Sequence, residues 1–316
     1  MRIIDVLTSP WAIEYNRETG RSDKLAEIQA IYSAHLRGES IDISAVEEKV
    51  GHALDNEQKP YQVVNGIALI ELSGIVTKRM NLFSKVSGGI STEIALRDFR
   101  QAMADNAVTG IILIVDSPGG TVDGTAELAS AINEASNLGS KPILTYTDGT
   151  MASAAYWIGA AADRVYINND TARVGSIGVV ATHVDYSQYE AKLGIKTTEV
   201  YAGKYKRIAS EYAPLSKEGR RYMQDEVNYY YTVFADAVAG FRPGLQIPQD
   251  GDIPWADGRI FIGRQSIEAG LVDGIATLDQ LVSRLSNAGG NMIIKERMKD
   301  SLTKKLAEQE RGNAAP

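Results

Sequence analysis

Residues 145–159 read TYTDGTMASAAYWIG, and the fold of the chain turns on how this stretch changes character midway. It opens inside an apolar run, residues 142–147, that reads as a buried strand. A short run follows, Met151, Ala152, Ser153, Ala154 and Ala155, and leads into the apolar helical start Tyr156, Trp157, Ile158. Such a junction places one hydroxyl, that of Ser153, at a helix N-terminus. There the first backbone N–H groups lack intrahelical partners, and the positive end of the helix dipole favours an oxyanion. Ser153 is therefore placed as a nucleophile could be placed. The same residue also reads as a helix cap or a packing residue in an Ala-rich turn.

The surrounding chain repeats the strand-to-helix pattern. Residues 66–76 (GIALIELSGIV) and 110–116 (GIILIVD) read as strands, the second as a central one because its apolar run is nearly continuous. Further strands are expected at 164–168, 176–183 and 195–201, and a short one at 259–262. Helices are expected at 92–106, at about 123–138, from 153, at 186–193, and from 216 to about 240, with short ones at 267–271 and 278–285. Strands alternating with helices imply an α/β protein with a parallel-rich sheet covered by helices, and chemistry at the C-terminal ends of the strands. The Ser/Gly-rich segment 77–89 is a candidate mobile loop.

At either end the composition shifts. Residues 1–60 read as a helical arm, with helices at about 22–37 and 44–54 and a polar linker before residue 61. Residues 61–287 form the main domain, and residues 288–316 a charged helix with a soft tail. The 316 residues carry a net charge of −7, which argues against phosphate backbones or anionic membranes as partners. There are no cysteines, which excludes disulfides, thiolate metal sites and a Cys nucleophile. Three scattered histidines, His35, His52 and His183, make a His-based metal cluster improbable. No window has the apolar length of a membrane span, so the chain reads as cytoplasmic and without a membrane anchor.

Three loops can converge on Ser153. Asp116-Ser-Pro-Gly-Gly120 follows a central strand, and its glycines can turn backbone N–H groups into a cleft to hold an oxyanion; it also reads as an empty strand-to-helix turn. Ala154 offers a further N–H. The basic loop 202–208 (AGKYKRI) supplies Lys204 and Lys206 as candidate bases, because a lysine amine stripped of water can accept a hydroxyl proton. Either lysine alone also reads as a solvated surface charge.

Taken together, DSPGG at 116–120, the Ser of MASAAYWI at 153, VGSIGV at 174–179, GKYK at 203–206 and GRIFIGRQSIEAGLVD at 258–273 stand in the order and spacing of the S49 serine peptidases. Over roughly residues 61–285 the chain resembles that family, which includes signal peptide peptidase A and the capsid-assembly proteases of tailed phages. The resemblance implies a Clp protease/crotonase-like fold and assembly into a ring or dome-like homo-oligomer. It implies Ser153 as nucleophile, Lys206 as general base, Ser176 as the hydroxyl that orients the lysine, and Gly119, with Gly120 and Ala154, as the oxyanion hole. No metal or organic cofactor is required. The absent anchor points to the phage branch, with scaffold, capsid or portal proteins as substrates in the host cytoplasm or procapsid and with no nucleic acid as partner. The alternatives are a cytoplasmic protease similar to signal peptide peptidase, a Ser/His arrangement through His183, an acyl-CoA enzyme of crotonase type, and a catalytically silent shell or scaffold component.

Overall fold

A run of Ile, Leu and Val without polar alternation is expected of a strand covered on both faces, and residues 110–116 show why. Ile111, Leu113 and Val115 point into one core, while Ile112 points into a second core on the opposite face of the same sheet. The computed structural model describes residues 11–13, 61–79, 89–248 and 252–289. The expected arm helices at 22–37 and 44–54, most of the 77–89 loop and the C-terminal helix lie outside the described residues.

In chain order the elements are β1 (Trp11–Ile13), β2 (Gln62–Val64), β3 (Ile67–Ser73), β4 (Ile75–Thr77), β5 (Gly89–Ser91), α1 (Thr92–Ala104), β6 (Gly110–Asp116) and β7 (Gly119–Thr121). There follow α2 (Thr125–Leu138), β8 (Ile143–Thr147), β9 (Thr150–Ala152), α3 (Ala154–Gly159), β10 (Arg164–Ile167), β11 (Arg173–Gly175), α4 (Ser187–Lys192) and α5 (Lys217–Phe241). The last are β12 (Ile260–Ile262), α6 (Arg264–Glu268), β13 (Gly274–Ile275) and α7 (Leu278–Arg284), which runs on into a π-helical turn (Leu285–Gly289).

The main sheet has the order β13-β10-β8-β6-β3-β2, parallel throughout except for the antiparallel edge strand β2. This is the α/β, parallel-rich architecture that the alternating pattern predicts. Four of its strands do something the pattern does not show. After a short break, β3, β6, β8 and β10 each continue into a three-residue strand, respectively β4, β7, β9 and β11, and these build two smaller sheets. One has the order β1-β7-β4-β5 and the other β12-β11-β9. The single apolar run 66–76 is thus two strands. It breaks at Gly74, whose φ of +89° is costly for any other residue and whose N–H donates to the Asp116 carbonyl at 2.9 Å.

Helices α1 and α2 cover one face. Ser91 caps α1 by accepting the N–H of Ile94, and Ala95, Phe99 and Ala102 recur at helical spacing on its buried side. Helix α2 buries Leu128, Ala129 and Ile132 and ends at Gly139 in the left-handed conformation. On the opposite face α7, held by a Thr277/Gln280 capping box, packs Leu281 with Ile112, Leu144, Tyr146 and Tyr166.

Two expected strands are absent. Residues 176–183 and 195–201 form no strand; the strand in the first region is β11, which ends at Gly175. From residue 178 to residue 215 only Ser210 is buried, and apart from a single β-bridge at Val180 this β-prone sequence pairs with no strand among the described residues. Helix α5 matches its expected span, yet of its apolar face only Phe234 and Val238 are buried, beside Ala235, and the half before residue 229 buries only Gly219.

Candidate active site

The site forms where the short strands leave the main sheet, at the C-terminal ends of β6 and β8. Two backbone ladders set its geometry. Ser117 bridges Met151 in parallel register, with Ser117 N–H donating to Thr150 O at 2.6 Å and Ala152 N–H to Ser117 O at 3.1 Å. Two residues beyond that bridge stand Gly119 on one of the paired segments and Ser153 on the other. In the second ladder Gly175 pairs with Ala152, so Ser176 and Ser153 are the next residues on neighbouring strands. The fold therefore brings Gly119, Ser153 and Ser176 to adjacent strand ends, although 57 positions separate the first from the last in the sequence.

Ser153 is fully buried, with φ +56° and ψ −122°, a conformation that costs a non-glycine residue about 1–3 kcal/mol. Its N–H is held by Gly175 O at 2.7 Å, and its carbonyl accepts the N–H of Trp157 at 2.9 Å. Its hydroxyl oxygen has no hydrogen-bond partner among the described residues. The residue is the N-cap of α3 by position, but its side chain caps nothing. Since α3 has only six residues, little of the expected helix dipole is available, and the local backbone amides carry what positive potential there is. Asp116 steadies the approach: its carboxylate accepts the Thr150 N–H at 3.0 Å. The floor beneath is rigid. Trp157 stacks on Phe234 at 4.5 Å and 8°, and the buried Tyr156 hydroxyl, its pKa pushed up by desolvation, donates to Leu271 O at 2.8 Å.

Gly119 has φ +102°, and its N–H donates to the hydroxyl of Ser117 at 3.1 Å. Ser117, fully buried, is a site neighbour that sequence reading passed over as part of a turn; its position inside the DSPGG run was the available signal. Gly120 answers first to packing. A Cβ there would stand 1.9 Å from Val76 O, so glycine is what lets β7 lie against β4. Ala154, at the first position of α3, is buried, and its N–H has no intrahelical acceptor. Ser176, also buried and at positive φ, donates its N–H to Arg259 O at 2.7 Å, which ties the site to β12.

Lys206 is not part of this cluster. It lies exposed in the 178–215 segment, and its side chain has no hydrogen-bond or ion-pair partner among the described residues. Its loop is nonetheless ordered from within. Arg207 bonds Glu199 and Glu211, and the Ser210 hydroxyl donates to Glu199, a bond that with Arg207 holds the Glu199 carboxyl below its ordinary pKa. Lys204 is engaged by Glu218 at 2.6 Å, and His183 Nε2 lies 2.8 Å from the Ser210 carbonyl. Neither Lys206 nor His183 reaches Ser153 in the single chain.

Residues 136–290 match the model of Peptidase family S49, and this part of the chain belongs to that family. Among individual proteins, the chain is 32% identical over 228 residues to the head-tail preconnector protein GP5 of Enterobacteria phage P21, covering 72% of this chain and 44% of that one. It is 29% identical over 248 residues to the capsid assembly protease C of Escherichia phage lambda, covering 76% and 55%. The chain thus spans about half the length of these relatives. A solved enoyl-CoA hydratase/isomerase family member superposes with a TM-score of 0.41 at 17% identity, over 80% of this chain and 86% of that one, too loose a likeness to assign the topology. No helix among the described residues is long and apolar enough to cross a membrane.

Proposed function

We propose that this chain is a serine endopeptidase of the S49 type that acts on phage scaffold and head proteins during procapsid maturation. The observation that carries the reading is the Ser153 hydroxyl, buried and unpaired in a strained backbone at the end of a strand. A structural serine would be expected to cap, to hydrogen-bond, or to give way to glycine. The family match supports the reaction class, and the names of the two phage relatives, a head-tail preconnector protein and a capsid assembly protease, support the substrate class.

In the proposed reaction Ser153 Oγ attacks the peptide carbonyl while its proton passes to the uncharged amine of Lys206. The developing oxyanion takes the Gly119 N–H in place of the Ser117 hydroxyl, with Ala154 as second donor. The tetrahedral intermediate collapses to an acyl-enzyme, the lysine returns its proton to the leaving amine, and water completes hydrolysis. Lys206 must be buried to act as a base, so the 178–215 segment has to pack down, either on its own domain or against a second copy in a homo-oligomer. Ser176 then hydrogen-bonds the amine.

The test is co-expression with head and scaffold proteins, read by intact mass. The parent chain yields discrete truncated products. Ser153→Ala and Lys206→Ala abolish them, each lowering turnover by at least about a thousandfold, while Lys204→Ala leaves the products unchanged. Processing that persists in Ser153→Ala, or that depends on His183 and not Lys206, overturns the mechanism.

A further inference from the structure

Strand β7 has two hydrogen-bonding edges. One is taken by β4, through Val76 opposite Gly120. The other is taken by the N-terminal strand β1, antiparallel, with Trp11 opposite Thr121, Ala12 opposite Gly120 and Ile13 opposite Gly119. β7 is the strand that starts at Gly119, two residues past the Ser117–Met151 bridge, level with Ser153. A segment distant in sequence is therefore laid as an extended peptide along the backbone edge that leads into the serine site. Adding a strand to an open sheet edge is how extended peptides are bound generally, because the main-chain ladder recognises any sequence. The two successive glycines of β7 suit such an edge, since neither carries a side chain that could hold off an approaching backbone.

We propose that the β1 side of β7 is the edge on which an extended substrate is bound, and that Trp11–Ile13 is an internal competitor which an incoming chain must displace. This rests on the peptidase reading above and deepens it. The antiparallel register fixes a direction. The residue opposite Gly119 is the C-terminal one of the paired strand, so the substrate residues that pair with β7 lie on the amino side of the cleaved bond, as Ile13 does. A ladder of only three residues is short enough to be exchanged for a longer one.

The experiment uses full-length Ala12→Pro and Ile13→Pro. Amides of successive strand residues point to opposite sides, so one of these variants removes a donor facing β7 and the other does not. Hydrogen exchange at residues 119–121 reads the ladder. Ser153 labelling is then compared between a Trp-Ala-Ile diphenyl phosphonate, long enough to need the edge, and a simple fluorophosphonate, which does not need it. Expected in at least one variant are faster exchange at 119–121, labelling by the tripeptidyl reagent about tenfold faster if β1 leaves the edge free a tenth of the time, and fluorophosphonate labelling unchanged. Exchange unaltered in both variants, or faster exchange with no gain for the tripeptidyl reagent over the fluorophosphonate, overturns the proposal. If neither reagent labels any form, the peptidase reading falls. The peptide TSPWAIEY, residues 8–15, then decides the edge separately: restored protection at 119–121 in the variant supports it as a peptide site, and no protection removes it.

Discussion

Ser153 and Gly263 share nearly the same backbone conformation, φ +56° and ψ −122° against φ +51° and ψ −122°, each just before a short helix. At Gly263 the chain uses the residue that bears the conformation without strain; there a Cβ would also meet the Asp170 carbonyl at 2.2 Å. At 153 it keeps a serine whose hydroxyl has no partner, and an unpaired buried hydroxyl costs about 1–3 kcal/mol. Ser153→Ala is therefore expected to leave stability equal or higher, and Ser153→Gly, which also relieves the positive φ, to raise it by ~1 kcal/mol, read by thermal unfolding. A loss above about 1 kcal/mol in Ser153→Ala would mean that the hydroxyl is bonded in the folded protein. The positions of Ser153, Ser176 and Gly119 were legible in motif order. The strain at 153 was not, because a serine does not announce a positive φ as a glycine does.

The floor of the site depends on one contact between elements. Helix α3 is too short to hold itself, and its Trp157 is clamped by Phe234 of α5, 77 residues away. Phe234→Ala is expected to cost ~3–5 kcal/mol and to free the C-terminal half of α5, seen as a lower unfolding midpoint with faster amide exchange at 230–241. A cost under about 1 kcal/mol would show that the stack is incidental. At this scale the regular elements were readable: β6 and the spans of α1, α2 and α5 follow from apolar runs and helical spacing, and the structure adds Ser91 and Ser216 as the caps of α1 and α5. The three-residue strands β7, β9 and β11 were not. Runs so short have no period to detect, and each exists because a neighbouring backbone completes it.

For the molecule as a whole, the segment from 184 to 205 is the unfinished part. Val184, Tyr189, Leu193, Ile195, Tyr201 and Tyr205 are exposed, and Val200 is 96% exposed. Apolar surface so concentrated is what an interaction face presents, and the homo-oligomer form of the proposal places a second copy there. Val200→Asp is expected to shift the protein toward monomer in sedimentation velocity and to lower peptide turnover in step, because Lys206 then stays in water. Turnover retained in a monomeric variant would mean that the lysine reaches Ser153 within one chain. The missing strand 195–201 belongs to this segment: its β-branched and aromatic residues express a strand preference only alongside another strand, and among the described residues none pairs with them.

The sequence alone determined the α/β class and the order of the main strands and helices, because periodicity is local and survives without a partner; which serines, glycines and lysine to watch came from the resemblance to the S49 peptidases. Tertiary structure alone decided that Gly119, Ser153 and Ser176 meet at adjacent strand ends, that Gly120 is demanded by Val76, that Lys206 stands apart, and that Trp11–Ile13 lies along β7. Each of these is a pairing between backbones far apart in the chain. Hydrogen-bond register between such segments is chosen by the packing of the whole molecule, and no residue carries it by itself.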